Sequence, residues 1–354
     1  MKIGRWLVLG ALMVATGLAS LSCGPQTPNP VQLRVYNADS LILPFQEIEK
    51  NFEIQHPDID VLVEGHGSIQ VIRATTELDE RVDVAAVADS QLIRLLMYDT
   101  PMKEKNGNYA DWCIDFATNA LGIAFTDHSQ FASEISAGNW YEIMSHPEVK
   151  IGLSDPRIDS LGYRALMLMR LAEIYYRDTH LFERMLGGAF VMDLAVSDIN
   201  GLTTITVPEL LKPAQERVVL RTYSLQVLAL LESGDVDYSF EYESVARQHG
   251  FRFLELPEAI NLKSQDYADT YKQVRVTLEF KRFASVNPQF PGAPIVYGVT
   301  IPNNAAHPQQ AVTFIEYLLG PEGRDILSRN FQPPIPATCD NVTRLPDTLR
   351  SRVK

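Results

Sequence analysis

Apolar and polar positions along the chain repeat one unit: a short apolar strand, a polar loop, then a helix with one apolar side. Leu33, Val35 and Tyr36 read as a first strand, followed by Asn37, Ala38, Asp39 and Ser40. The spacing of Phe45, Ile48 and Phe52 predicts a helix after that loop, finished before Pro57. Val61 to Val63 is the next strand, and Gly65-His66-Gly67-Ser68 leads into a second helix through Ile69, Ile72 and Arg73. Asp83 to Ala88 alternates weakly and reads as a strand covered on both faces. From Asn119 to Phe125 a further strand opens a second lobe, whose centre is the stretch Ile151 to Arg164. There a strand (Ile151, Leu153) meets a loop holding Asp155 and Asp159. A helix follows with Leu161, Ala165, Leu168 and Ala172 along one side, Ser160 standing at its N-cap.

Val218 to Leu220 is another strand, Ser224 follows it, and Leu225 to Leu231 is helical until Gly234. In the strand Asp237 to Tyr242, Tyr238, Phe240 and Tyr242 form the core side. Glu241 and Glu243 alternate with them as the other face would. Val274–Phe280 and Ile295–Ile301 read as a pair of long strands separated by a Pro-rich loop. A last helix, Gln309 to Leu319, ends at Gly320-Pro321, and the proline-bearing tail is expected along the surface.

Repeated strand–loop–helix units predict an α/β fold with mostly parallel sheets flanked by helices. More than 300 residues exceed one ordinary core, so two lobes are expected. Ser40, Ser68, Ser160 and Ser224 each follow a strand and stand at or near a helix start. Ligands of open α/β sheets sit beyond the carboxyl ends of the strands, and helix starts offer unpaired amides to anions. Four serines meeting there would make a neutral, donor-rich anion site, although serine is also an ordinary helix cap. Asp159 has a reading of each kind: it caps its helix, or it sets a carboxylate against the bound anion.

Composition adds an address. Lys2 and Arg5 precede the apolar run Trp6–Leu21, which ends just before Cys23, the pattern of a bacterial lipoprotein cleaved before that cysteine and acylated on it. A plain secretory signal or an uncleaved anchor is the alternative, and export follows from each. Residues 23–30 then form a lipidated tether. Of 31 basic side chains, Lys2 and Arg5 leave with the leader, so 29 face 44 acidic ones, a balance near −15. Such a charge opposes nucleic acid and anionic lipid as partners. Cys113 and Cys339 remain, and whether they pair stays open. The seven histidines, His66, His128 and His249 among them, show no metal spacing. No nucleophile elbow, zinc motif or phosphate loop occurs, so an enzyme is the weaker class.

Longer passages resemble the tungstate- and molybdate-binding proteins of ABC importers common in archaea. The similar stretches are NADSLILPFQEIEKNFE, EGHGSIQVIR, VDVAAVADSQLI, YADWCIDFATN, NWYEIMSHPEVKIGLSDPRIDSLGYRALM, LALLESGDVDYSFEYESVARQHG and PIVYGVTIP, together covering nearly all of the chain after Cys23. The resemblance implies a two-lobed periplasmic-binding-protein fold of type II, with crossing strands at the hinge. Lobe I would comprise 31–118 with 295–345, and lobe II 119–294. It implies oxyanion contacts at Asp39 and Ser40, at Ser68, at the triplet Asp159, Ser160 and Leu161, at Ser224 and at Tyr242. Asp159 would bind the tungsten or molybdenum of the oxyanion, with Asp39 a second candidate. The family's second metal-binding glutamate falls on Ser224 here, and its glycine before the first serine is Asp39. Ser160 and Leu161 replace the usual Pro and Cys. The expected protein is a lipid-anchored monomer on the extracytoplasmic face, without cofactor. It performs no covalent chemistry and passes its ligand to an importer permease. Phosphate or sulfate as ligand, and a secreted enzyme or sensor that kept the fold, remain the alternatives.

Overall fold

The computed structural model describes residues 29–78, 80–279 and 288–354. The expected leader and Cys23 lie outside the described residues, as does Phe280.

Strand β1 (Val31–Ala38) alternates at its start and is buried throughout its second half. It passes into a 3-10 turn, Asp39–Leu41, and then α1 (Ile42–Gln55). Pro44 falls in the first turn of α1, where a missing N–H breaks no helical bond. Phe45, Ile48 and Phe52 face inward, and Phe52 meets Phe314 edge-on at 5.4 Å. β2 (Ile59–His66) runs parallel to β1, in register from Val31 opposite Ile59 to Ala38 opposite His66. α2 (Ser68–Thr76) and β3 (Val84–Val87) follow; then Asp89 caps α3 (Ser90–Met97) by accepting the Gln91 amide. β4 (Ile114–Thr118) ends this portion of the chain.

Asn119 and Ala120 carry the chain into β5 (Leu121–Phe125), followed by α4 (Trp140–Met144) and β6 (Ile151–Ser154). α5 (Ser160–Tyr176) and α6 (Leu181–Leu186) precede a hairpin of β7 (Ala195–Ile199) and β8 (Leu202–Val207). β9 (Val218–Arg221) leads to α7 (Ser224–Ser233), ended by Gly234 at φ +79°, a left-handed conformation glycine adopts without strain. β10 (Tyr238–Tyr242), α8 (Glu243–Gln248), β11 (Arg252–Leu254), α9 (Ala268–Tyr271), β12 (Val274–Leu278) and β13 (Gln289–Pro291) complete it. The chain returns through β14 (Val296–Thr300), α10 (Pro308–Leu319), α11 (Pro321–Arg329), β15 (Pro334–Cys339) and α12 (Asp347–Arg350).

Among the described residues these strands form three mixed sheets, ordered β15-β4-β14-β3-β1-β2, β11-β5-β10-β6-β9 and β13-β12-β8-β7. The first sheet organises one lobe; the second organises the other, with α5 packed against both the second sheet and β12 of the third. Buried Asn119 pins the crossing: its Nδ2 donates to Ser244 Oγ at 2.8 Å and to Tyr297 Oη at 3.0 Å, one in each lobe. The second crossing is tied where the Ile295 amide donates to Leu262 O at 2.7 Å.

Three sequence expectations are corrected. Val274–Leu278 does not pair with Val296–Thr300. β12 takes β8 and the hairpin partner β13, whereas β14 lies between β3 and β4. The β13 exit presses against α9: a Cβ on Gly292 would lie 2.1 Å from Tyr271 O, so only glycine fits. The C-terminal tail runs along the surface as expected, and its Pro334–Cys339 stretch adds an edge strand paired with β4 on one side only. The cap of α5 is Asp159, not Ser160, since Asp159 keeps extended backbone and accepts the Leu161 amide. Glu241 is not on an open strand face, for β10 lies between β5 and β6 and is buried at all five positions.

Candidate functional site

The ends of β1, β2, β6 and β9 deliver Ser40, Ser68, Ser160 and Ser224, the last three as the first residues of α2, α5 and α7. All four serines are buried, as are Asp39, Asp159, Leu161 and Tyr242. Ser68 Oγ accepts from the Ala88 amide at 3.0 Å and from Ser160 Oγ at 3.3 Å. Ser160 Oγ lies 3.2 Å from Tyr242 Oη. Ser40 Oγ accepts from Tyr297 Oη at 3.0 Å. The hydroxyls of Ser68, Ser160 and Tyr242, from two lobes, thus touch one another, whereas Ser40 and Ser224 each bond elsewhere.

Asp39 and Ser224 meet across the cleft, where Ser224 Oγ donates to Asp39 Oδ2 at 3.0 Å. The Ser40 amide donates to Asp39 Oδ1 at 2.8 Å. Burial pushes the Asp39 carboxyl up, while the Ser224 hydroxyl and the amides of Ser40, Leu225 and Ser224 oppose the rise. Asp159 uses Oδ1 to accept the Leu161 amide at 3.1 Å. Its Oδ2 is buried and makes no well-formed hydrogen bond among the described residues, although the Ser154 hydroxyl and the Ser224 amide lie close enough to favour its charge. Burial first, and then the Asp39 charge, hold the Asp159 carboxyl well above the usual range. Leu161 contributes its amide to that cap and a buried side chain to the core.

The two lobes are in contact at the site. The Ile69 amide donates to Ile158 O at 3.1 Å, and a Cβ on Gly67 would stand 2.6 Å from that same oxygen. Beside it lies a buried clasp that sequence reasoning missed. Arg164 of α5 donates through Nη1 to Ala88 O at 2.7 Å and to Tyr242 Oη at 2.9 Å, and pairs through Nη2 with Asp89 Oδ2 at 3.3 Å. Tyr163 Oη donates to the same Asp89 oxygen at 2.6 Å. Burial works against the Arg164 charge, but Tyr242, Asp89 and Tyr163 outweigh it and hold the guanidinium protonated. A signal existed, because Arg164 is four residues past Ser160 and shares its helix face. Tyr297 and Glu241 were missed as well. Glu241 is fully buried, and burial followed by the Asp39 charge drives its carboxyl well above the ordinary range.

Cys113 and Cys339 are both thiols, Cys113 fully buried and raised by that burial. Among the described residues no helix is long and apolar enough to cross a membrane, and no three His, Cys, Asp or Glu side chains are arranged to hold a metal ion.

A model of the bacterial extracellular solute-binding protein family matches residues 33–331. The chain belongs to that family. An uncharacterized solute-binding protein of Methanoculleus marisnigri is 38% identical over 324 residues, 92% of this chain and 87% of that protein. Another from Petrotoga mobilis is 37% identical over 324 residues, 91% of this chain and 90% of that one. Among solved structures, the periplasmic molybdate-binding protein of Azotobacter vinelandii superposes with a TM-score of 0.54 at 15% identity, over 85% of this chain and 98% of that chain. The sulfate-binding protein of Mycobacterium tuberculosis gives 0.51 at 11% identity, over 87% of each. These likenesses establish the two-lobed type II periplasmic-binding-protein fold. Membership makes this an exported solute-binding protein, with a small solute as ligand and an ABC transporter as partner.

Proposed function

We propose that this solute-binding protein captures a tetrahedral oxyanion, tungstate or molybdate, between its lobes and delivers it to an ABC importer. One observation carries the reading: a buried carboxylate oxygen, Asp159 Oδ2, makes no well-formed hydrogen bond among the described residues and belongs to the cap beside the Ser68, Ser160 and Tyr242 hydroxyls. The hydroxyls and the helix-start amides donate to the oxo groups of the ligand, each bond to a charged ligand being worth about 1.5–3 kcal/mol. The open carboxylate oxygen does something a donor site for sulfate has no use for. Tungsten and molybdenum expand their coordination and accept it as a further ligand. Sulfur in sulfate does not, and the Asp159 carboxyl, once ionised, would repel it by roughly 4 kcal/mol per charge pair at about 4 Å and an effective dielectric near 20. The Arg164 clasp and the Ile69–Ile158 bond close the lobes over the ligand, and the importer supplies the energy for transport. The leader pattern supports removal of residues 1–22 and a lipid on Cys23 that holds a monomer at the extracytoplasmic membrane face.

Calorimetry of the mature chain against tungstate, molybdate, sulfate and phosphate tests the reading. Tungstate and molybdate should bind at least about a hundredfold more tightly than sulfate, a gap of roughly 2.7 kcal/mol. Preference for sulfate or phosphate, or no binding of any of the four, overturns it.

A further inference from the structure

We infer that Asp39 is a latch between the lobes: its carboxyl, carried by the first lobe, occupies the start of α7 in the second and keeps the solute off that helix end. The latch is the same for whichever small anion the cleft takes.

The start of α7 is one of three helix starts at the cleft, with those of α2 and α5. A helix start carries amides with no partner inside the helix, and these draw an acceptor. At α7 the acceptor belongs to the chain. Asp39 stands in the 3-10 turn after β1, and that turn packs on α7. Ser224 Oγ donates to Asp39 Oδ2 at 3.0 Å, and the Ser224 and Leu225 amides also favour the Asp39 charge. The next amide, that of Gln226, donates to Tyr223 O at 3.2 Å. Ser224 is shared further inward, since its amide also favours the Asp159 charge and its hydroxyl that of Glu241. The first donors of this helix are thus taken up by carboxyl groups and a carbonyl of the chain itself.

The other oxygen of Asp39 fixes the aim of the side chain. Oδ1 accepts the Ser40 amide at 2.8 Å within its own turn, which holds Oδ2 toward α7. Asp39 and Ser224 are both buried and come from different lobes, so their contact lasts only while the lobes are together. A solute oxygen at the same helix start would have to displace the carboxyl. The solute is therefore left to the touching hydroxyls of Ser68, Ser160 and Tyr242, one from the first lobe and two from the second. Ser224, a fourth anion donor by its place in the sequence, works through Asp39 instead.

A double-mutant cycle in tungstate affinity tests the assignment, with Ser224→Ala made both in the native chain and in Asp39→Ala. Alone, Ser224→Ala should weaken binding about tenfold, as the loss of one bond to a charged group does. In the Asp39→Ala background it should change affinity by less than about twofold, because its partner is gone. X-ray scattering should show both single variants more open than native at saturating tungstate, and X-ray absorption at the tungsten edge should show native coordination in both. An equal loss from Ser224→Ala in both backgrounds, or altered coordination in Asp39→Ala, would assign these groups to the solute and overturn the latch. Hydrogen exchange reads the contact without any ligand: the Leu225 amide should exchange faster in Asp39→Ala than in native, and equal exchange overturns the latch. A native chain that binds none of tungstate, molybdate, sulfate and phosphate overturns the proposed function alone, and the exchange measurement then decides the latch. Should Asp39→Ala fail to fold, Asp39→Asn takes its place in the scattering and exchange measurements, with the same outcomes.

Discussion

Arg164→Met removes the charged half of the clasp between the lobes while filling most of its volume. Three contacts go: the bonds to Ala88 O (2.7 Å) and Tyr242 Oη (2.9 Å), and the pair with Asp89 (3.3 Å). Breaking a buried ion pair by deleting one partner costs about 3–5 kcal/mol, mostly through the charge left behind. Asp89 is not abandoned, since it keeps the Tyr163 hydroxyl at 2.6 Å and the Gln91 amide at 3.1 Å. The cost therefore falls at the low end, about 3 kcal/mol. Most of it falls on the closed form, because Ala88 and Asp89 sit in the other lobe and water reaches Asp89 when the lobes part, whereas the Tyr242 bond lies within one lobe. Calorimetry should show tungstate binding weakened about a hundredfold, and scattering should show a more open liganded protein. Melting of the ligand-free variant should change little. Native affinity, or a large loss of ligand-free stability with no loss of affinity, would refute a clasp that acts between lobes. Asp89→Ala should be worse on both counts, since it strands the Arg164 cation and uncaps α3.

Asp159→Asn keeps the helix cap and removes the charge, so tungstate affinity should fall while sulfate gains up to about 4 kcal/mol at effective dielectric 20; equal losses for both ligands in calorimetry would contradict the coordination argument. Gly67→Ala places a Cβ 2.6 Å from Ile158 O, so scattering should find the variant unable to reach the closed dimensions with saturating tungstate; native closure would show that the loop yields. Glu49, raised to about 6 by burial and then by Glu53 and Asp60, has a folded pKa above its unfolded one. Its stabilising contribution is complete below the unfolded value and is lost as pH rises through about 6. Glu49→Gln should therefore raise the melting temperature relative to native at pH 8 but not at pH 4, and an equal gain at both would refute the assignment.

Local order was legible in the chain. The strand–loop–helix units, the serines at helix starts and the doubtful role of Asp159 all follow from neighbours within a few residues, whose spacing fixes a period, a cap or a turn. Even there the cap was one residue out, because Asp and Ser cap equally well and only backbone geometry chooses between them. The resemblance to the importer proteins extended the reading to the lobes and the site. What the sequence could not supply were contacts whose partners are remote in the chain. Ser224 and Asp39 meet over 185 residues, and Arg164 and Ala88 over 76, by the path of the fold alone. β12 and β14 carry strand composition that suits several partners, so pairing waited on which edge each could reach. Glu241 shows the limit most clearly. A period of two tells which residues share a face, but whether that face meets water is decided by the strands and helices packed around β10. Their packing turned an apparent surface glutamate into a fully buried carboxyl.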